Sequence, residues 1–190
     1  QPLSHEITSL KLIEPDHFLL DNGISVYTID AGTEDLIKLD LIFDAGFFYQ
    51  SQPLVASLSN KCLQEGTKSY SSQAIASTID FYGAHLRHGT DKDDARIALY
   101  CLGKHFDNLL PVLAELAFQP IFPDEEVNTI IAKSKQQYHV NMEKVKFVAH
   151  QKFSSLIFGE THPYASSLSV DDYDNISRDH MTGFHAKHYA

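Results

Sequence analysis

Polar and apolar residues along this chain follow two periods, and the first third is patterned for strands. Residues 18–29 set extended apolar positions on both sides of Asn22-Gly23, a pair that tolerates positive φ, and so predict a hairpin. Leu36 to Phe43 then alternates as a half-buried strand, with Leu39, Leu41 and Phe43 on one face. From Pro53 to Gln64 the period lengthens: Leu54, Leu58 and Cys62 recur at fours, which predicts a helix with Pro53 in its first turn. A second helix over 71–82 packs Ile75 and Ile79 and stops at Gly83. Strands over 84–90 and 96–102 flank the polar turn Asp91-Lys92-Asp93-Asp94. A helix over 105–118 closes at Gln119-Pro120. A longer one opens at Asp124, read as its cap, with Glu125 and Glu126 at the positive end of the dipole. Ser177 starts a last helix.

Strands that come as hairpins and helices that come in runs exclude an alternating βαβ architecture. They predict an α+β fold, a two-layer sandwich of a mixed, mainly antiparallel sheet covered by helices. The chain's 190 residues suit a single domain, 1–190, with a real core. Its net charge of −10 argues against nucleic acid, which needs clustered Lys and Arg. No apolar run reaches the length of a membrane span, and Gln1-Pro-Leu-Ser-His5 lacks a signal-peptide pattern. The expected compartment is a soluble one, cytoplasmic or periplasmic. Cys62 and Cys101 sit among apolar neighbours and read as small buried hydrophobes.

The stretch most informative about chemistry is Leu54 to Thr67, which runs Leu-Val-Ala-Ser57-Leu-Ser-Asn60-Lys61-Cys-Leu-Gln-Glu-Gly66-Thr67. After it come Ser71 to Leu86 with Gly83, and Phe158-Gly159 followed by His162-Pro163-Tyr164. Asn22-Gly23 and Phe184-His185 bracket the series. In this order and spacing the chain resembles the pitrilysin/insulinase metallopeptidases over almost its whole length. In that family the first stretch carries H-x-x-E-H, two imidazoles one helical turn apart on Zn²⁺ with a glutamate that activates the bound water. Here Ser57, Asn60 and Lys61 stand in those places. The resemblance puts the third, glutamate ligand around Gln136, Gln137 and Tyr138, where no carboxylate stands. A hydroxyl or neutral amide is a poor zinc ligand, and a protonated lysine is repelled by the ion. The resemblance therefore implies no catalytic residue and no metal ligand in this chain, with zinc expected in an active partner.

Other groupings carry less. His85 and His88, three apart on a strand, point to opposite faces. His185 and His188 share a helix face but lack a third ligand, and read as solvated. His162 is expected to hydrogen-bond its own loop. Ser57 and Lys61, an i, i+4 pair, could suggest a Ser-Lys hydrolase, but the plainer reading is a relaxed polar helix face, extended to Gln136, Gln137 and Tyr138. Asp91, Asp93 and Asp94 form a charged hairpin tip short of a calcium loop.

The resemblance implies a non-catalytic homologue that pairs with a zinc-bearing pitrilysin-like subunit and helps form a peptide-binding and processing chamber, inactive as an enzyme by itself. Two alternatives stand beside it: an independent peptide- or protein-binding scaffold, and a zinc metalloendopeptidase with atypical ligands. The family unit is longer than this chain, which predicts the N-terminal unit of a longer protein lacking its final strand. An unpaired sheet edge would then favour dimer pairing.

Overall fold

The computed structural model of the protein describes residues 12–165 and 168–189; the expectation drawn from Gln1–His5 lies outside them. The chain divides into two compact units, 1–35 and 36–190. In the first, β1 (Asp16–Leu19) and β2 (Ser25–Thr28) pair antiparallel, Asp16 opposite Thr28 and Leu19 opposite Ser25. Gly23 supplies the turn at φ +84°, and its N–H donates to Leu20 O at 2.8 Å.

The second unit is built on β3 (Leu36–Phe43), β4 (His85–Thr90) and β5 (Ala95–Leu102), in the antiparallel order β3-β5-β4. Alternation sorts the sheet. Leu39, Leu41, Leu86, Ile97 and Leu99 face the core, while Lys38, Arg87, Arg96 and Tyr100 face away from it. Central β5 buries Ala95, Ile97, Ala98, Leu99 and Cys101.

Helices cover the inner face. They are α1 (Val55–Cys62), α2 (Ser72–Phe81), α3 (Phe106–Phe118), α4 (Asp124–Met142), α5 (Val145–Phe158), α6 (Val170–Asn175) and α7 (Arg178–His188). Helices α1, α2 and α3 lie on the sheet, α4 and α7 lie on α1, and α5 and α6 pack on α4. Ser71, expected as the first residue of the second helix, caps α2 by accepting from Ala74 N at 3.2 Å, and Ser177, where the last helix is expected to start, caps α7. Two boundaries differ. Pro53 stays outside α1, whose N-cap is Leu54 at φ +73°, and Pro123 caps α4 so that Asp124 is already helical. The polar-apolar pattern predicts neither α5 nor α6.

A left-handed leucine costs roughly 1 kcal/mol or more. Here the side chain is 6% exposed, so burial in the core offsets the strain.

Phe158 at the end of α5, with His162 and Tyr164 of the loop after it, grips the β4–β5 hairpin tip. Lys92 Nζ lies 4.7 Å from the Phe158 ring centre and 5.1 Å from that of Tyr164, and the Tyr164 hydroxyl donates to the Asp93 carboxylate. His162 Nδ1 accepts from Tyr164 N at 3.1 Å, the loop bond expected of it. At the same tip Phe47 N and Phe48 N donate to Asp91 O and Lys92 O at 3.0 and 2.8 Å. Gly46 permits this approach: a Cβ there would lie 2.4 Å from the Asp93 carbonyl carbon.

Candidate functional site

Helix α1 carries the degenerate motif between the sheet below and α4 and α7 beside it. Its three motif side chains go to three environments. Ser57 is half-buried and donates its hydroxyl to Leu54 O at 3.1 Å, closing the strained first turn. Lys61 is exposed. Asn60 is 1% exposed and points into the core, where its amide nitrogen donates to Arg96 O on β5 at 3.3 Å and to the Tyr189 hydroxyl at 3.1 Å. The expectation of one polar, solvated face over 57–61 is therefore corrected. Only Lys61 is surface, because successive helical positions rotate by about 100° and carry Asn60 onto the sheet.

Two residues complete this polar node. Tyr189 is 1% exposed, its ring 4.6 Å from that of Phe43 and stacked 4.9 Å from that of His185. Burial pushes its phenol up to about 12. His88 faces the same interior from β4. Burial pushes its imidazole down to about 4 against the weaker opposing pull of the Asn60 backbone, and among the described residues neither buried ring nitrogen has a hydrogen-bond partner at good geometry. This half-buried imidazole, its nitrogens turned inward, stands on the side of the sheet opposite exposed His85, as strand alternation requires.

The region of the expected third ligand is likewise split. Gln136 and Gln137 are exposed, and Gln137 Nε2 donates to Asn141 Oδ1 one turn on at 3.1 Å. Tyr138 is not part of a polar face: it is 7% exposed, donates to Leu168 O at 2.6 Å and packs against Tyr173 and Phe147. His185 and His188 also depart from the solvated reading. Their ring nitrogens lie 2.8 Å from Ala117 O and 3.0 Å from Asp44 O, tying α7 to the ends of α3 and β3. Burial holds His185 below the usual imidazole range.

Gly66-Thr67, which follows the motif, is a structural pair. Gly66 has φ +153°, and a Cβ there would press on Pro123 Cγ at 3.2 Å. Buried Thr67 donates to Glu115 Oε2 at 2.8 Å and accepts from Tyr70 N at 3.1 Å. Hydrogen bonds from Ser69 and Thr67 hold the Glu115 carboxyl below its ordinary range. Cys62, next to Lys61, is buried, and its thiol is pushed up to about 12 by burial. A thiol of that kind supplies no thiolate near neutral pH.

These side chains do not fit a zinc ion. The Ser57 and Asn60 donors already serve other acceptors, Lys61 brings positive charge, and among the described residues no three His, Cys, Asp or Glu side chains converge.

The family model described as Insulinase (Peptidase family M16) matches residues 26–169. The chain belongs to that family. An uncharacterized zinc protease of Rickettsia felis is 21% identical over 174 residues, covering 90% of this chain and 42% of that protein. The crystal structure of a peptidase M16 inactive domain from Pseudomonas fluorescens superimposes at TM-score 0.85 with 26% identity, over 92% of this chain and 43% of that one. A protease from Helicobacter pylori shares the fold at TM-score 0.76 and 18% identity, over 94% and 44%. The chain thus spans less than half the length of these relatives.

The nodal residues His88 and Tyr189 are invisible to motif reasoning. Strand alternation does put His88 on the face of Leu86 and Thr90. Tyr189 lies four residues after His185, so it continues the α7 face that meets the body.

Proposed function

We propose that this chain is a non-catalytic M16 unit that acts by pairing with a zinc-bearing M16 subunit and contributing to a peptide-binding chamber. One observation carries the reading: Asn60, in the place of the general base, is a buried amide donating to Arg96 O and Tyr189 rather than a carboxylate open to water. The description of the Pseudomonas fluorescens relative as an inactive domain supports it. Peptide contact would come through a sheet edge, since β3 and β4 are the outer strands of their sheet among the described residues and an extended peptide can extend such an edge by backbone pairing.

The test begins with zinc. After chelator washing and dialysis against Zn²⁺, the chain is expected to retain less than about a tenth of an equivalent, because a three-ligand site would hold the ion tightly. The variant Ser57→His/Asn60→Glu/Lys61→His/Gln137→Glu serves as comparison. Alone, the chain is expected to leave a quenched fluorescent peptide intact. Mixed with an M16 homologue bearing H-x-x-E-H, it is expected to copurify and raise that homologue's cleavage. One tightly held equivalent of zinc, or cleavage by the chain alone, overturns the proposal.

A further inference from the structure

Helix α5 is inverted in its second half. The stripe it turns inward, Phe147, Val148, Gln151, Ser154 and Ser155, passes from apolar to polar, and Gln151 Nε2 ends buried without a hydrogen-bond partner among the described residues. The stripe it turns to solvent, Val145, Ala149, Phe153 and Leu156, recurs at helical spacing and is wholly apolar. Val145 and Leu156 are each 84% exposed, Phe153 is 61% exposed and Ile157 widens the patch at 57%. A surface helix that answers only to its own core has the reverse arrangement. A contiguous exposed patch of this kind marks an interaction surface.

Charge selects the occupant. Residues 144–158 hold Lys144, Lys146 and Lys152 and no carboxylate, within a chain of net charge −10. By helical spacing, Lys146 and Lys152 rise on opposite flanks of the apolar stripe. The same face of a second copy would set lysine against lysine. An anionic bilayer would attract these lysines but repel the remainder of an acidic chain.

We propose that the outward face of α5 docks an amphipathic helix of another protein, apolar along one stripe and lined on both flanks by Asp or Glu. Side chains Val145, Phe153 and Leu156 supply the buried seam, and Lys146 and Lys152 set register and orientation, as flanking charges do in paired helices. This surface lies on an element apart from α1, and the inference holds whether or not the partner carries zinc.

The test uses the intact chain and a fluorescein-labelled helical peptide with leucine along one stripe and glutamate on both flanks, followed by fluorescence anisotropy. A twin with lysine flanks is the comparison. Saturable binding of the Glu-flanked peptide is expected, weakened about tenfold by Leu156→Glu, by Leu156→Gln or by the lysine flanks, and weakened also by added salt. Phe81→Glu, at another exposed apolar position on α2, is expected to leave binding unchanged. Circular dichroism of each variant should match that of the parent. Failure of the Glu-flanked peptide to bind, equal binding of both peptides, or binding that survives Leu156→Glu overturns the proposal. So does dimerisation of the chain that Leu156→Glu abolishes, or tighter binding to phosphatidylserine vesicles than to the peptide.

Discussion

Replacing Asn60 by aspartate changes one NH₂ into one oxygen and tests the polar node at the centre of α1. The amide donates to Arg96 O at 3.3 Å and to the Tyr189 hydroxyl at 3.1 Å from a residue 1% exposed. An ionised carboxylate there would face a backbone carbonyl oxygen, and burial holds the neighbouring His88 imidazole neutral, so the folded Asn60→Asp variant keeps its new carboxyl protonated to well above the free value. The neutral acid keeps one donor of two, which leaves a loss of about 1 to 2 kcal/mol at acid pH. Because its folded pKa is raised above the free value of about 3.9, the penalty grows by about 1.4 kcal/mol per pH unit above that value until the folded group ionises. A rise of only about two units in the folded pKa brings the total near 4 kcal/mol at pH 7. Urea unfolding at several pH values between about 4 and 8, followed by tyrosine fluorescence since the chain has no Trp, gives the difference between variant and parent. A difference that is flat across this range, or below about 1 kcal/mol at pH 7, refutes the buried-donor reading of Asn60.

His88 makes the parent chain itself pH-dependent. With its imidazole lowered to about 4, its contribution is complete above the free value of about 6.5 and is lost as pH falls from there toward 4, by up to about 3 kcal/mol. His88→Leu should flatten the stability curve in that window, measured by the same unfolding experiment. Gly46→Ala drives a Cβ to 2.4 Å from the Asp93 carbonyl carbon and 2.6 Å from Asp94 N, and is expected to cost about 1 to 3 kcal/mol by calorimetry. Thr67→Val removes a buried donor to Glu115 and an acceptor for Tyr70 N, and a loss of about 1 to 2 kcal/mol in urea is expected.

What the sequence displayed was whatever short-range physics decides. Asn22-Gly23 turns because glycine reaches φ +84°, and α2 stops ahead of Gly83 because that glycine reaches φ +61°. Both signals lie within a few residues. The alternation of Leu39, Leu41 and Phe43 likewise names the inner face of β3 without reference to anything distant. Asn60 is different. Its partners are Arg96 and Tyr189, 36 and 129 residues away, and one rotation along the helix separates a core donor from an exposed lysine. The histidines of α7 were hidden in the same way, since Ala117 O and Asp44 O are backbone atoms that no side-chain pattern announces. Helix α5 escaped because its apolar residues face outward, so its pattern does not reveal which side meets α4. The absence of H-x-x-E-H was legible at once; where the substituted residues point was not.

Tyr189 carries a consequence for how the protein is made. Its ring closes the core beside Phe43, and its hydroxyl is one of the two acceptors of the Asn60 amide. On the ribosome, α1 emerges well over a hundred residues ahead of that partner, so a nascent chain can form the helix early but holds a polar hole beneath it until synthesis has passed residue 189. During that interval the unmet amide and the open side of Phe43 are available to chaperones and proteases. The partner that completes the polar core beneath the earliest helix is thus among the last described residues to be made.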